Sequence, residues 1–138
     1  ASSRRITRKK LLLRVSDIME KDKRLPYCHE NDLMRVAVIE MAQKRGICPV
    51  VDRDNKLTGV LTTGDLNRLI EKTENFMNIP VIEVMNKSPK SIEKDDLATI
   101  AYQKMDEYKI ISMPVLDEQK KLIGVIHLHD IMQEGISG

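Results

Sequence analysis

The chain has 138 residues, a formal net charge of +2, 41% hydrophobic and 32% charged residues, which fits one compact domain or two small halves that share a core. Aromatic residues make up only 3%, whereas Ile, Leu, Val and the eight Met are plentiful, so the composition describes an aliphatic core and not an aromatic binding platform. No apolar run approaches the roughly 20 residues that span a bilayer, and no apolar stretch follows the basic start, so the chain reads as cytoplasmic, without membrane helix or signal peptide.

The first fourteen residues carry Arg4, Arg5, Arg8, Lys9, Lys10 and Arg14. Nucleic-acid proteins combine clustered cations with aromatics that stack on bases. None is interleaved here, and residues 1–14 read as a linker from an upstream domain, with no nucleic-acid or membrane partner.

From Val15 the chain reads in elements. Asn31-Asp32 offers a helix cap, and Leu33, Val36, Ala37, Ile39 and Met41 follow at helical spacing until Gly46. Cys48-Pro49-Val50-Val51, the turn residues Asp52 to Asn55, and Leu57 to Leu61 predict a hairpin. A second helix is predicted near Asp65, through Leu66, Leu69 and Ile70. Residues 73–80 form a connector, with Phe76, Met77 and Ile79 available to pack it down. The same order then returns: a helix from about Asp96 to Tyr108, strands around Pro114 to Leu116 and Leu122 to Ile126, and a closing helix from Asp130. Cys28 and Cys48 occupy non-equivalent places, and two buried or half-buried thiols are expected rather than a disulfide.

The return is a duplication. Val50-Val51-Asp52 and Leu57 to Leu66 come back as Val115-Leu116-Asp117 and Leu122 to Ile131, with the same Asp-to-Gly and Gly-to-Asp intervals. Upstream, Val15 to Met19 is echoed by Val81 to Met85. One supersecondary unit used twice is the simplest explanation, with repeats at 15–72 and 81–135. Tyr27-Cys28 and Lys90-Ser91 are read as equivalent, each just after a proline.

The repeated motif has chemistry of its own. Where a strand ends and a helix begins near an Asp, first-turn N–H groups and the helix dipole stabilise an anion. Thr62, Thr63, His127 and His129 stand at those turns and can bond phosphate oxygens, while Asp65 and Asp130 can accept from ribose hydroxyls. The competing reading is that both Asp residues only cap their helices. His127 and His129 also invite a metal, but alternate residues of a strand end point to opposite faces and no Cys or acid cluster completes a ligand set; no metal is expected. His29 reads as a solvated imidazole, and Lys87 and Lys90 either meet phosphate or face solvent. No catalytic constellation is evident.

A helix and a hairpin ending in Gly-Val-Leu/Ile-x-x-x-Asp-Leu/Ile, with Pro-Val-Val/Leu-Asp at Pro49 to Asp52 and Pro114 to Asp117, resembles a cystathionine-β-synthase (CBS) domain, present here as a tandem pair or Bateman module. The resemblance implies an α/β (α+β) fold of two β-α-β-β-α repeats packed through their sheets about a pseudo-two-fold axis. Val50, Leu61, Val115 and Ile126 would then be buried, and a nucleotide would bind at the positions just named. More narrowly, Leu11 to Met19 and His127-Leu128-His129-Asp130-Ile131-Met132 are similar to the carboxy-terminal half of the arabinose-5-phosphate isomerase family. A generic CBS pair has Ser or Thr three residues before the ligand Asp, where this chain has Thr62 but then His127.

That likeness implies a non-catalytic regulatory fragment of a sugar-phosphate isomerase in the Kdo and lipopolysaccharide pathway. Its regulatory ligand would be CMP-Kdo or an adenine nucleotide, with no required cofactor. The expected partners are an upstream sugar isomerase domain and a second copy in a homodimer, through Leu69, Ile70, Ile131 and Met132. The alternative is a scaffold with empty clefts.

Overall fold

A computed structural model describes residues 8–19, 25–43 and 46–136. Arg4 and Arg5 of the basic segment lie outside these. The described residues form short helices α1 (Arg8–Leu11) and α2 (Val15–Ile18), then β1 (Cys28–His29), α3 (Met34–Gln43), β2 (Ile47–Val51), β3 (Leu57–Thr62) and α4 (Thr63–Lys72). Two 3₁₀ turns, Phe76–Asn78 and Val81–Glu83, precede β4 (Ile92–Glu93), α5 (Ala98–Tyr108), β5 (Ser112–Leu116), β6 (Leu122–His127) and α6 (Leu128–Gln133). Among the described residues no helix is long and apolar enough to cross a membrane.

The chain divides into two compact units, one of residues 24–89 and one of residues 1–23 with 90–138. Each contains a three-stranded sheet in chain order, with a parallel outer pair and an antiparallel hairpin. The registers coincide: Cys28 pairs with Val50 and Val50 with Gly59, as Ile92 pairs with Val115 and Val115 with Gly124. Both middle strands carry a proline, Pro49 or Pro114, beyond the end of the two-residue strand β1 or β4, so the missing N–H breaks no bond with it. This register also corrects the equivalence read from the prolines. Cys28 corresponds to Ile92, which places Tyr27 opposite Ser91 and not Lys90.

Each unit has a core of buried apolar side chains. In the 24–89 unit, Met34, Ala37, Cys48, Val50, Leu61 and Val81 are sealed together; in the other, Val15, Ile92, Ala101, Val115, Ile126 and Ile131 are. Val50, Leu61, Val115 and Ile126 are all buried. Of the apolar helix residues expected on the surface, Ile70 and Met132 are exposed, but Ile131 is fully buried and Leu69 packs on its core.

The hairpin turns show why their residues were chosen. Asp52 Oδ1 accepts from the N–H groups of Asp54 and Lys56 at 2.8 and 3.0 Å, and Asp117 Oδ1 from those of Gln119 and Lys121 at 2.8 and 2.9 Å. Asn55 and Lys120 take the left-handed position of each turn, with φ of 64° and 67°. Asp32 and Asp96, by contrast, do not cap the helices that follow. Their carboxylates accept from the N–H three residues back, His29 at 2.8 Å and Glu93 at 3.1 Å, and so close a turn; the helices begin two residues later, at Met34 and Ala98.

The compact units cut across the sequence repeats. Val15 N–H donates to Asp96 C=O and Ala98 N–H to Leu13 C=O, both at 2.8 Å. In the other unit, Val81 N–H donates to Asp32 C=O and Met34 N–H to Ile79 C=O, again at 2.8 Å. Each sequence repeat therefore opens with a segment that completes the other repeat's core. Further along, Asn86 and Val60 exchange backbone hydrogen bonds of 2.9 and 3.1 Å across the outer edge of β3, protecting it from other strands. Gly59 makes this approach feasible, because a Cβ there would lie 2.5 Å from Met85 Sδ and 3.0 Å from Asn86 O.

Two outcomes are expected. A fragment of residues 24–89 keeps Val81 and Met85 in its core, whereas one of residues 15–72 loses both; thermal melts by circular dichroism should show a more cooperative transition and a higher midpoint for the first. The Asp117 carboxyl titrates below the usual carboxylate range because the Lys121 N–H bonds its charged form. Its contribution is thus present at neutral pH and lost as pH falls through the lowered value. In urea titrations across the acid range, Asp117→Asn should lose stability at neutral pH and show a shallower acid decline.

Candidate ligand-binding turns

Each hairpin delivers its second strand into a helix with no intervening loop, β3 into α4 at Thr62-Thr63 and β6 into α6 at His127-Leu128. The helices begin two residues earlier than the sequence suggests. Thr62 and His127 are the N-cap residues, and Asp65 and Asp130 stand at the third helical position. From there their carboxylates reach back to the N-cap N–H groups: Asp65 Oδ2 accepts from Thr62 N–H at 2.9 Å and Asp130 Oδ2 from His127 N–H at 3.2 Å. This is the rear half of a capping box, so each Asp does stabilise its helix start.

The first turn is tightly closed. Thr62 Oγ1 donates to Asp65 Oδ2 at 3.2 Å, and Arg68 Nη2 lies 2.5 Å from Asp65 Oδ1. Thr63 donates both its N–H and its hydroxyl to Gly46 C=O, at 3.1 and 3.4 Å. Gly46 has φ +79° and must lack a side chain, since a Cβ would sit 2.4 Å from Thr63 Oγ1. In the second turn Leu128 N–H donates to Ile111 C=O at 2.7 Å, and His127 Nδ1 accepts from His129 N–H at 3.0 Å. An imidazole nitrogen that accepts carries no proton, so His127 is the Nε2–H tautomer in this arrangement. Several first-turn donors expected to be open to an anion are thus already used by the chain itself. Strand-to-helix junctions without a loop place neighbouring backbone carbonyls within their reach.

Thr62, Thr63 and Asp65 are brought together in one turn, and His127, His129 and Asp130 in the other. The residue that sequence reasoning missed is Arg68. Its side chain is 67% exposed against 18% for Asp65, so it lies at the mouth of the first turn, and its signal was an opposite charge three residues after Asp65. His29 is exposed, with Nδ1 3.7 Å from Asp32 Oδ2 and its ring edge-on to Tyr27. Lys90 Nζ rests 4.3 Å from the centre of the Tyr108 ring, and Lys87 is exposed. Among the described residues no group of three or more His, Cys, Asp or Glu side chains is placed to hold a metal ion.

Two cavities of about 320 Å³ open on single units. One is lined by Tyr27, Cys28, His29, Asp32, Val36, Ile39 and Glu40. The other is lined by Tyr102, Met105, Asp106, Lys109, Ile110, Ile111 and Leu128, which puts it against the backbone of the second turn. None of the six predicted ligand residues lines either cavity.

A capping role predicts separable effects. Asp65→Ala and Asp130→Ala should each lower stability by about 1 kcal/mol, while Arg68→Ala, which removes only a surface ion pair, should stay within about 1 kcal/mol of the parent. Urea titrations of the three variants measure this directly.

Comparison with known proteins agrees with this architecture. The chain is 35% identical over 125 residues to arabinose 5-phosphate isomerase KdsD of Francisella tularensis subsp. tularensis, a match covering 91% of this chain and 38% of that protein. It therefore spans about two-fifths of the length of that curated relative. Among solved structures, the CBS domain pair of MJ0100, in complex with 5′-methylthioadenosine and S-adenosyl-L-methionine, superposes with a TM-score of 0.75 at 23% identity, covering 88% of this chain and 94% of that one. The CBS domain protein PAE2072 from Pyrobaculum aerophilum, complexed with AMP, gives 0.74 at 24% identity, with 86% and 89% covered. The CBS domain family model matches residues 15–72 and again residues 81–136, following the sequence repeats and not the compact units. Matched twice over most of its length, the chain belongs to the CBS domain family and carries the domain as a tandem pair.

Proposed function

We propose that this pair is the regulatory module of an arabinose-5-phosphate-isomerase-type protein, and that it binds an adenine nucleotide at one or both strand-to-helix turns without catalysing a reaction itself. The observation that carries the reading is the duplicated turn, in which one register twice places a carboxylate three residues beyond a strand end. The relationship to KdsD over nearly the whole chain supports attachment to a sugar isomerase domain, whose sugar-phosphate chemistry would lie in the remaining three-fifths of such a protein. Adenine compounds come first because AMP and S-adenosyl-L-methionine are the ligands of the two CBS structures described above; CMP-Kdo, an end product of the isomerase pathway, is the competing ligand.

In this reading the phosphate lies near Thr62-Thr63 with Arg68, or near His127-His129, and the ribose hydroxyls donate to Asp65 or Asp130. The scaffold reading has its own support, since Thr63 and Asp65 already bond groups of the chain. Thermal shift decides between them: a ligand at a hundred times its dissociation constant adds about 2.7 kcal/mol. AMP, ATP, S-adenosyl-L-methionine and CMP-Kdo should be compared, and at least one of the adenine compounds should raise the melting temperature. Asn in place of Asp keeps a capping oxygen but loses the charge, so Asp65→Asn or Asp130→Asn should weaken binding about tenfold, the equivalent of a charged hydrogen bond. No response to any of the four ligands would leave the scaffold reading.

The module is also proposed to pair with a second copy through the exposed Ile70 and Met132, 47% and 52% accessible. Light scattering at tens of micromolar should give the dimer mass, and the double variant Ile70→Asp with Met132→Asp the monomer mass.

A further inference from the structure

Cys28 and Cys48 are both free thiols, and both are buried. They lie on adjacent parallel strands, with Cys28 opposite Val50 and Cys48 two residues before Val50 on the same face. Their sulfurs are 3.4 Å apart, Cys48 donating its S–H to Cys28 Sγ. Packing alone does not call for this pair. The equivalent positions in the other unit are Ile92 and Met113, also fully buried, so the fold accepts larger aliphatic side chains at both places. Two thiols within reach of one another in one repeat, where the other repeat has an isoleucine and a methionine that cannot form a disulfide, indicate chemistry beyond core filling.

We infer that Cys28 and Cys48 are a reversible oxidation site, which a peroxide closes to an intramolecular disulfide and a dithiol reductant reopens. Cys28 is assigned as the first to meet the oxidant because its residue borders the cavity shared with Tyr27, His29, Asp32 and Glu40, which Cys48 does not. Cys48 is held back: its bond to Cys28, followed by burial, pushes its thiol far above the usual range. In the first step the Cys28 thiol loses its proton, and its sulfur attacks one oxygen of hydrogen peroxide. The O–O bond breaks, Cys28 becomes a sulfenic acid, and the departing hydroxide takes up the proton as water. In the second step Cys48 sulfur attacks Cys28 sulfur, the S–O bond breaks, and the hydroxide leaves as a second water with the Cys48 proton. Two thiols and one peroxide give one disulfide and two waters, the sulfurs losing the two electrons that the peroxide oxygens gain. The sulfurs must close from 3.4 Å to about 2 Å. Strand β1 is held by only two residue pairs to β2, so it is the element that can move to let them meet.

The test uses the whole 138-residue chain under conditions where it is folded by circular dichroism. After hydrogen peroxide and quenching, thiol titration in denaturant should fall from two per chain to none. The intact mass should drop by two hydrogen atoms, and peptide mapping should join Cys28 to Cys48. Dithiothreitol should restore both thiols and the original mass. Cys28→Ala and Cys48→Ala should each abolish the bridge. If either variant fails to fold, the mass and map of the unsubstituted chain decide alone. Two titratable thiols remaining after peroxide, oxygen adducts without a bridge, or disulfides only between chains would each overturn the inference.

Discussion

The arrangement of both units rests on one backbone constraint: the turn before each long helix presents polar groups that its own repeat does not satisfy. At Lys94 to Ala98 these are met by Leu13 to Ser16, and at Glu30 to Met34 by Ile79 to Ile82. Each unit gains three such bonds, each worth about 1 kcal/mol net, but leaving the same groups buried and unpaired would cost about 1–3 kcal/mol apiece. The docked segments also insert Val15 and Val81, both at 0% exposure, beneath the helices. Each such valine contributes roughly 1.5–3 kcal/mol through burial. Helix α3 or α5 is thereby fixed over its sheet, and with it the hairpin whose far end becomes a candidate ligand turn. A tandem duplication whose halves complete one another in this way is hard to divide into single copies, which is a physical reason for the module to occur as a pair.

On that shared frame the two turns have acquired different chemistry. Thr62, Thr63, Gly64 and Arg68 in the first correspond to His127, Leu128, His129 and Gln133 in the second. The backbone solution is common to both, since each N-cap N–H reaches a carboxylate at the third helical position. What differs is a further bond of the N-cap side chain. Thr62 donates its hydroxyl to Asp65, whereas His127 accepts a backbone N–H through Nδ1. The first turn adds a guanidinium, while the second offers two imidazoles.

Elements with strong local signals were legible in the sequence. The hairpins declared themselves through β-branched runs around Asp-rich turns, and α3, α4 and α5 through their apolar spacing. Two-residue strands such as β1 and β4 carry no periodicity, so the equivalence of Cys28 and Ile92 could not be read from prolines one residue out of phase. An Asp near a helix start is equally compatible with the N-cap and with the third position, which is why Asp65 and Asp130 were placed at the helix edge and lie inside it. The exchanged leading segments left no local signal at all, because Val15 and Val81 look the same whichever core they enter. The six candidate ligand residues rest on residue type and interval alone. Arg68 was missed because an exposed Arg on a helix ordinarily means only a solvated face.

Capping and ligand recognition by the same aspartate are compatible on geometric grounds. Asp65 uses Oδ2 for both Thr62 groups, and only Oδ1 meets Arg68. The cap therefore survives if Oδ1 changes partner. The Arg68 contact is a surface ion pair with a largely exposed guanidinium, and such pairs contribute about 0–1 kcal/mol. A ribose hydroxyl donating to Oδ1 would have to outweigh only that amount, and the guanidinium so released carries a charge suited to a phosphate. Asp130 Oδ2 likewise accepts from the His127 N–H, so the second carboxylate is anchored to its helix start in the same way. The capping box thus holds the carboxylate in place, and a group already held loses little further freedom when a ligand arrives.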